Sequence, residues 1–585
     1  MGGVPRPPAG RASLPARMAG RPAGFSWVDA VVAAALLAVL YVVIRVGRGT
    51  TVSFTPAEVS TIGTDPAKLP YYAVRSLLRM YAALALSLVF TLVWAYAAAH
   101  SRRAERVLIP ALDILQSVPV PAFLAVAVTG FVGLFPGSLF GLECAAVFAI
   151  FTSQAWNMTF AFYHSLITTP RELVELSRSV GFTRWMRFWK VELPSGAIPL
   201  VWNGMMSFGG GWFFLVASEL ISVSNREYTL PGVGSYAGAA IAAGNLGDMA
   251  WAVLTMAIMV IGVNFLFWRP LVAWAERFKV EQSEAAQTQH SLVLDFLRRS
   301  RWPRLLGRTL VPVRDLAGRL GRVFGMDDRP LQIDTRRRRT GDVVFALVVI
   351  ALIAWGLVSL AGYLAGRQAG LSVFVEPILL GLATLARVVV LVVLATLVWV
   401  PIGVKIGLSP RLTRIAQPTV QVLAGFPANF LFPLATWLFL KTGVSIDLGG
   451  ILLMALGAQW YILFNAIAGA MAIPTDLREA MDNLGVYGRQ RWKHLIIPGI
   501  FPAYITGGIT ASGGAWNASI VSEVVTFGGT TLTATGLGAY IAQATQTGDY
   551  PHLIAGVTVM SLYVVGLNRL FWRRLYKLAE TRYAL

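Results

Sequence analysis

The chain has 585 residues, of which 56% are hydrophobic and 13% charged, with a formal net charge of +20. A soluble globular chain of this length needs far more charge, so the composition implies an integral membrane protein. The lysine and arginine excess lies beside apolar runs instead of on an aromatic-studded soluble face, which argues against nucleic acid as a partner and for positive-inside topology.

Residues 1–26 carry Arg6, Arg11, Arg17 and Arg21, no acid and no secretory cleavage pattern. They read as a basic cytoplasmic tail. Apolar runs of about 20 residues, the length that crosses a hydrocarbon core, fall near 27–46, 73–98, 112–134, 138–163, 197–222 and 249–272. Residues 276–340 then turn polar and basic, with Arg298, Arg299, Arg301, Arg304 and Arg308 and the run Arg336 to Arg339. This cytoplasmic linker either touches anionic lipid head groups or is a solvated connector. Six more runs follow near 342–364, 377–404, 418–440, 449–471, 501–526 and 552–572. The expected fold is an all-α integral membrane protein of twelve transmembrane helices, six in a unit over 27–275 and six in a unit over 341–585.

Basic residues set the orientation. With the tail inside, the loops holding His100, Arg102, Arg103 and Arg106, and Lys405, Arg411 and Arg414, fall inside too, as do 164–196, 472–500 and Arg573, Arg574 and Lys577. The outer segments 47–71, 223–248 and 365–376 are poor in basic residues, so both termini are expected in the cytoplasm and both units in one orientation.

The chain also repeats itself. Trp156 and Trp460, Glu175 and Glu479, Gly181 and Gly485, Pro194 and Pro498, Trp212 and Trp516, Glu219 and Glu523, Tyr236 and Tyr540, and Asn264 and Asn568 are each 304 positions apart. Arg79 and Arg387, Pro110 and Pro418, and Pro119 and Pro427 are 308 apart. Two copies in one orientation pack as a pseudo-dimer about an axis along the membrane normal, a transporter geometry that does not name the energy source.

One inside loop recurs with its spacing kept. The first copy runs from Thr169-Pro170-Arg171-Glu172 through Glu175-Leu176-Ser177 to Gly181, then Val191-Glu192-Leu193-Pro194. The second runs from Pro474-Thr475 through Glu479-Ala480-Met481 to Gly485, then Leu495-Ile496-Ile497-Pro498. Thr169 is placed to cap, Pro170 to take the first helical position and Glu172 to close a capping box. Gly181 and Gly485 suit a turn with positive φ, and Arg184, Arg187 and Lys190, or Arg489, Arg491 and Lys493, lie on a second helix beyond it.

Both loops resemble that of ABC importer permeases: Glu-Ala-Ala, three residues, Gly, nine residues, Ile-x-Leu-Pro. Leu176, Ser177 and Met481 depart from its alanines. Trp212 through Ala217-Ser218-Glu219 and Trp516 through Val521-Ser522-Glu523 are similar to the fifth span of the nitrate, sulfonate, taurine and bicarbonate importers. The resemblance implies two fused six-helix MetI-like units in a parallel pseudo-two-fold arrangement, which needs no homodimerisation, in a bacterial inner membrane. It implies two ABC ATPase subunits, which hold ATP and Mg, docked at the cytoplasmic face on Glu175, Gly181, Pro194, Glu479, Ala480, Gly485 and Pro498. It also implies an extracytoplasmic solute-binding protein, ATP-driven alternating access and a small cargo, foremost an anion such as nitrate, bicarbonate or a sulfonate. A fused ferric-ion permease, or an ion-coupled secondary carrier with parallel repeats, are the alternatives.

Inside the membrane, Glu219 and Glu523 need a partner or water, so each is either a gate residue or a brace between helices. Gly209 to Gly211, with Ser512, Gly513 and Gly514 opposite in the repeat, allow close packing or, with Trp212 and Trp516, a constriction. Pro119, Pro121 and Pro427 interrupt the third spans, where freed backbone groups are tolerable beside a cavity. Gln116, Ser117 and Asn429 stand near them, so the candidate pathway residues are Gln116, Pro119, Trp212, Glu219, Pro427, Asn429, Trp516 and Glu523. No Gly-Lys pair occurs, hence no phosphate-binding P-loop and no ATPase in this chain. Its five histidines, His100, His164, His290, His494 and His552, show neither metal-ligand spacing nor a nucleophile and base set. Cys144 reads as a packing residue. No catalytic residue, metal or cofactor is expected in this chain.

Overall fold

A computed structural model describes residues 27–47, 49, 62–117, 120–223, 226–278, 292–300, 335–366, 370–527 and 529–582. The basic tail, most of the linker and Pro119 lie outside them. The first half runs α1 (Trp27–Gly47), α2 (Leu69–His100), α3 (Arg102–Ser117), α4 (Val120–Leu134), α5 (Leu139–Ile167), α6 (Arg171–Ser179), α7 (Ala197–Glu219), the hairpin β1 (Leu220–Val223) and β2 (Arg226–Thr229), α8 (Val233–Ala242) and α9 (Leu246–Val263). The second half repeats the order with α10 (Thr335–Gly366), α11 (Val375–Gly407), α12 (Pro410–Gly425), α13 (Phe432–Thr442), α14 (Ile446–Ala472), α15 (Thr475–Asn483), α16 (Ile497–Ser522), the hairpin β3 (Val524–Phe527) and β4 (Thr530–Thr533), α17 (Leu537–Thr547), α18 (Tyr550–Leu567) and α19 (Arg573–Arg582).

Among the described residues, nine helical segments are long and apolar enough to cross a membrane, containing α1, α2, α5, α7, α9, α11, α14, α16 and α18. A shorter apolar stretch, Leu347–Tyr363, lies in α10. The expected third span of the second half is not a single helix. In the second half α12 stops at Gly425, Pro427 precedes one 3-10 turn at Ala428–Phe430, and α13 restarts at Phe432. In the first half α3 reaches Ser117 and α4 starts at Val120, on either side of residues outside the described set. Proline lacks the N–H and its ring clashes with the carbonyl four residues back, so a helix does not run on through such a point unkinked.

The two hairpins depart from an all-α chain. Leu220 pairs with Thr229 and Val524 with Thr533, antiparallel. Strands of four residues that directly continue an apolar helix leave no period-two signal for hydropathy to separate.

Each half is built on three helices, with α5 between α2 and α7, and α14 between α11 and α16. Small residues allow this: Ala145, Ala146, Ala149 and Ala155 are buried along α5, and close backbone approach is how such helices gain packing where the hydrophobic effect is weak. The halves interlock. Helix α3 packs on α18, α12 packs on α7 and α9, and each hairpin reaches the short helix of the other half, β1 against α17 and β3 against α8. One buried cluster accordingly joins Leu142, Ala146 and Leu230 to Leu391, Trp516 and Leu537. The described stretch of the linker, 292–300, returns to the first span, where Ser300 donates to Asp29 at 3.0 Å.

Candidate translocation site

Between the halves lies a cavity of about 430 Å³. Ser153 and Asn157 of α5 line it with their repeat partners Gly457 and Tyr461 of α14, and Gly209 and Gly210 of α7 with Gly513 and Gly514 of α16. The lining covers Asn203 to Phe214, the middle stretch of α7, and stops short of Glu219. The exchanged hairpins follow directly on the Glu219 end of α7 and the Glu523 end of α16.

The pathway candidates divide. Gln116, Pro427 and Trp516 line the cavity. Trp212 lines a smaller neighbour of about 60 Å³ with Asn264, Trp268 and Gln421. Asn429 is spent on packing, donating its Nδ2 to the Phe213 carbonyl at 3.1 Å. Glu219 and Glu523 are fully buried and line neither cavity.

Those two glutamates sit in matched polar clusters. Glu219 accepts from Arg79 Nη1 at 2.7 Å, from Ser76 Oγ at 2.5 Å and from the Gly234 N–H at 2.7 Å. The same Arg79 donates Nε and Nη2 to Glu143 at 2.6 and 2.7 Å, and Arg75 reaches Glu143 as well. In the second half Glu523 accepts from Arg387 Nη1 at 2.9 Å, Thr384 Oγ1 at 2.8 Å and the Ala539 N–H at 3.1 Å. Arg387 Nη2 donates to Asp447 at 2.5 Å. A Cβ on Gly232 or Gly536 would collide with the Glu219 or Glu523 carboxylate, so glycine there lets the chain pass over the acid. The geometry is that of a brace, tying α2, α5, α7 and α8 at the root of the first hairpin and α11, α14, α16 and α17 at the root of the second, with each buried charge paired and hydrogen-bonded as burial demands. Glu143 and Asp447 were not among the sequence candidates, although they too are 304 apart and open the fourth span of each half.

The loops are also matched. Helix α6 ends where Gly181 takes φ +76°, and α15 where Gly485 takes φ +68°. Phe182 N–H reaches back to Ser177 O at 2.9 Å and Val486 N–H to Met481 O at 2.9 Å, closing the same terminal turn. The predicted N-terminal cap is not formed: Pro170 is the capping residue, and Thr169 donates its hydroxyl back to Ser165 O at 2.9 Å. A threonine one residue before a cap is closer to the carbonyls of the preceding helix than to the new N–H groups. Beyond the glycines, Phe188–Glu192 and Trp492–Ile496 are π-helical turns that run into Pro194 and Pro498. Widening the turn accommodates a residue that cannot donate to its i−4 carbonyl. Glu175, Glu479 and Ala480 are exposed, and Val180 and Leu484 stand 63% and 75% exposed beside the glycines.

The first loop is held to α2 by Glu192, which accepts from Arg187 Nε at 2.8 Å and lies 3.1 Å from His100 Nε2. Burial raises the Glu192 carboxyl, but His100 and Arg187 outweigh it and leave it below the usual carboxylate range. A carboxyl lowered by folding stabilises above its unfolded pKa, near 4.3, and loses that contribution as pH falls through the folded value. Glu192→Gln should therefore lower the unfolding midpoint at pH 7 and flatten its decline in acid; a pH series of thermal unfolding on the purified chain checks both.

Among the described residues no cluster of three or more His, Cys, Asp or Glu could hold a metal ion. The chain is 25% identical over 180 residues to the taurine transport system permease protein TauC of Escherichia coli (strain K12), covering 31% of this chain and 62% of that one. It is 27% identical over 190 residues to the nitrate import permease protein NrtB of Leptolyngbya laminosa, 32% and 64% of the two chains. With the osmoprotectant import permease protein OsmY of Salmonella typhimurium it shares 26% over 245 residues, 41% of this chain and 96% of that one. The match thus spans less than two thirds of the taurine and nitrate relatives' own length. The family model for the binding-protein-dependent transport system inner membrane component matches twice, over residues 87–269 and 399–583. With one match in each half, the chain belongs to that family as a tandem MetI-like permease of the inner membrane.

Proposed function

We propose that this chain forms the whole solute pathway of an ABC importer, its units 27–275 and 341–585 taking the places of two permease subunits about a pseudo-two-fold axis. The observation that carries this is the pair of loops, each with an exposed helix, a left-handed glycine and an exposed apolar residue, at equivalent places in the two halves. Partner ATPases holding ATP and Mg dock on them at the cytoplasmic face, where both termini also lie. Their closure draws the loops together and reverses the access of the cavity, which an extracytoplasmic binding protein supplies from the other side. The interlocked hairpins support a closed outer end in the present conformation. The relatives' printed cargoes, nitrate and taurine among them, support a small and foremost anionic solute. A ferric-ion cargo would want a wall dense in carboxylates, and among the described residues the lining holds one, Asp113.

The test is reconstitution of the full chain in proteoliposomes with a candidate ATPase and a candidate binding protein of the same organism. We expect two ATPase copies per chain and uptake that requires enclosed ATP. Uptake driven by an ion gradient with no ATPase bound would replace this reading with that of a secondary carrier.

A further inference from the structure

The described stretch of the linker carries a membrane-surface patch, an inference that takes its inner-side placement from the permease reading. The helix Leu292–Arg299 packs on α1 and on the helix Arg269–Ala275 near the end of the first unit. Two contacts fix it at the start of α1. Ser300 donates to Asp29 at 3.0 Å, both residues being buried, and the Phe296 ring lies 5.8 Å from that of Trp27. The helix is therefore docked on the first span instead of trailing from it.

What the docking leaves outward is amphipathic. Leu292 is 89% exposed, and Arg298 and Arg299 are exposed at the other end of the helix, outside every ion pair among the described residues. Leu292 and Arg299 are seven positions apart, two helical turns, and so share a face. Trp27 is itself largely exposed, and beyond it α1 turns Val31, Leu37 and Leu40 outward, so the patch lies where a lipid-facing span ends. Aromatic rings favour that level of a bilayer, beside the head groups. Just past the helix on which the linker packs, the exposed Arg277 guanidinium sits 4.4 Å from the Trp274 ring centre and 4.6 Å from that of Phe278, a third arginine held over rings.

An exposed leucine and exposed arginines at the edge of an apolar span match a bilayer surface of negative charge: apolar groups enter the head-group layer and guanidiniums meet its phosphates. Nucleic acid would offer the phosphates but no apolar layer for Leu292 and the outward side of α1. We propose that this corner of the first unit binds anionic phospholipid of the inner leaflet and so pins the linker between the two units to the membrane surface at one point.

The experiment uses the full chain carrying Cys144→Ser and Leu292→Cys, labelled at position 292 with an environment-sensitive fluorophore, in phosphatidylcholine nanodiscs to which phosphatidylglycerol is added stepwise. Emission should shift to the blue as phosphatidylglycerol rises, and bromine on phosphatidylglycerol chains should quench it more than the same bromine content on phosphatidylcholine. Inorganic phosphate added to pure phosphatidylcholine discs should produce no shift. Each of Arg298→Gln and Arg299→Gln should raise the phosphatidylglycerol fraction at the half-maximal shift about fivefold, the effect of one basic residue at an anionic surface, and the two together should abolish the shift. Arg298→Lys with Arg299→Lys keeps both charges and should stay within about twofold of the parent. Arg411→Gln with Arg414→Gln removes the same charge from exposed positions on α12 and should leave the response unchanged. Equal emission in the two lipids, a shift that survives loss of both linker arginines, or an equal loss in the Arg411 and Arg414 pair overturns the proposal. No ATPase or solute is present, so the outcome is separate from that of the uptake assay: a lipid response without ATP-driven uptake sinks only the permease reading, and uptake without a lipid response sinks only this site.

Discussion

Arg79→Ala should be the most destabilising single substitution in the first half, by about 3–5 kcal/mol, the range for removing one partner of a buried ion pair. The guanidinium is nearly inaccessible and bridges two carboxylates, Glu143 and Glu219, that are themselves buried. Without it Glu219 keeps only Ser76 and the Gly234 N–H, and the root of the hairpin loses its tie to α2. Lysine should not rescue, because a single ammonium cannot present the two-sided fork that reaches both acids. Arg387→Ala should cost less. Asp447, the counterpart of Glu143, has a half-exposed side chain, so water can solvate it once its partner is gone, leaving Glu523 as the sole buried charge without a partner. Denaturant unfolding of the purified chain in bicelles, with both variants side by side, checks the size and the order. Equal losses at the two sites would mean that the second brace is as dry as the first.

That asymmetry was not legible in the sequence, whereas the pairing behind it was. Constant spacing joined Glu219 to Glu523 and Arg79 to Arg387 because duplication preserves positions, and it joined the loop glycines for the same reason. Which charges meet is a matter of helix packing: Glu143 and Glu219 lie 76 positions apart in the chain and share one arginine. Hydropathy found the long spans, since α2, α5, α7 and their counterparts are apolar over their length. It could not see that the run at 418–440 breaks into separate helices. A window averages across the break, and only Pro427 marks its position in the second half. The hairpins were invisible for a related reason, being continuous in hydropathy with α7 and α16. Cavity lining was the least legible feature. Trp212 and Trp516 occupy equivalent positions, yet one lines the large cavity and the other a small one beside it, a difference set by where the two halves cross.

Replacing both loop glycines, Gly181→Val and Gly485→Val, should abolish most ATP-driven uptake while leaving the chain folded in the membrane. Both residues hold a φ near +70° and have open space where a side chain would point, so the substitution creates no clash. What it adds is backbone strain, about 1–2 kcal/mol per site for a left-handed residue with a Cβ and more for a β-branched one. The terminal turns of α6 and α15 would relax to negative φ and swing Val180 and Leu484 away from the positions a docked ATPase needs. Rigid placement matters here because a coupling element transmits force only in the geometry in which it is held. Gly443 supplies the control. It has the same conformation, φ +72°, and the same open surroundings, but it joins α13 to α14 at the opposite end of the molecule. Gly443→Val should carry a similar strain and lower the unfolding midpoint comparably while sparing uptake and ATPase stimulation. Each single loop variant should fall between the double variant and the parent, since on the proposed reading each loop docks one ATPase. If the double variant still drives uptake at the parental rate, or if Gly443→Val abolishes it equally, the loops are not where force enters the chain.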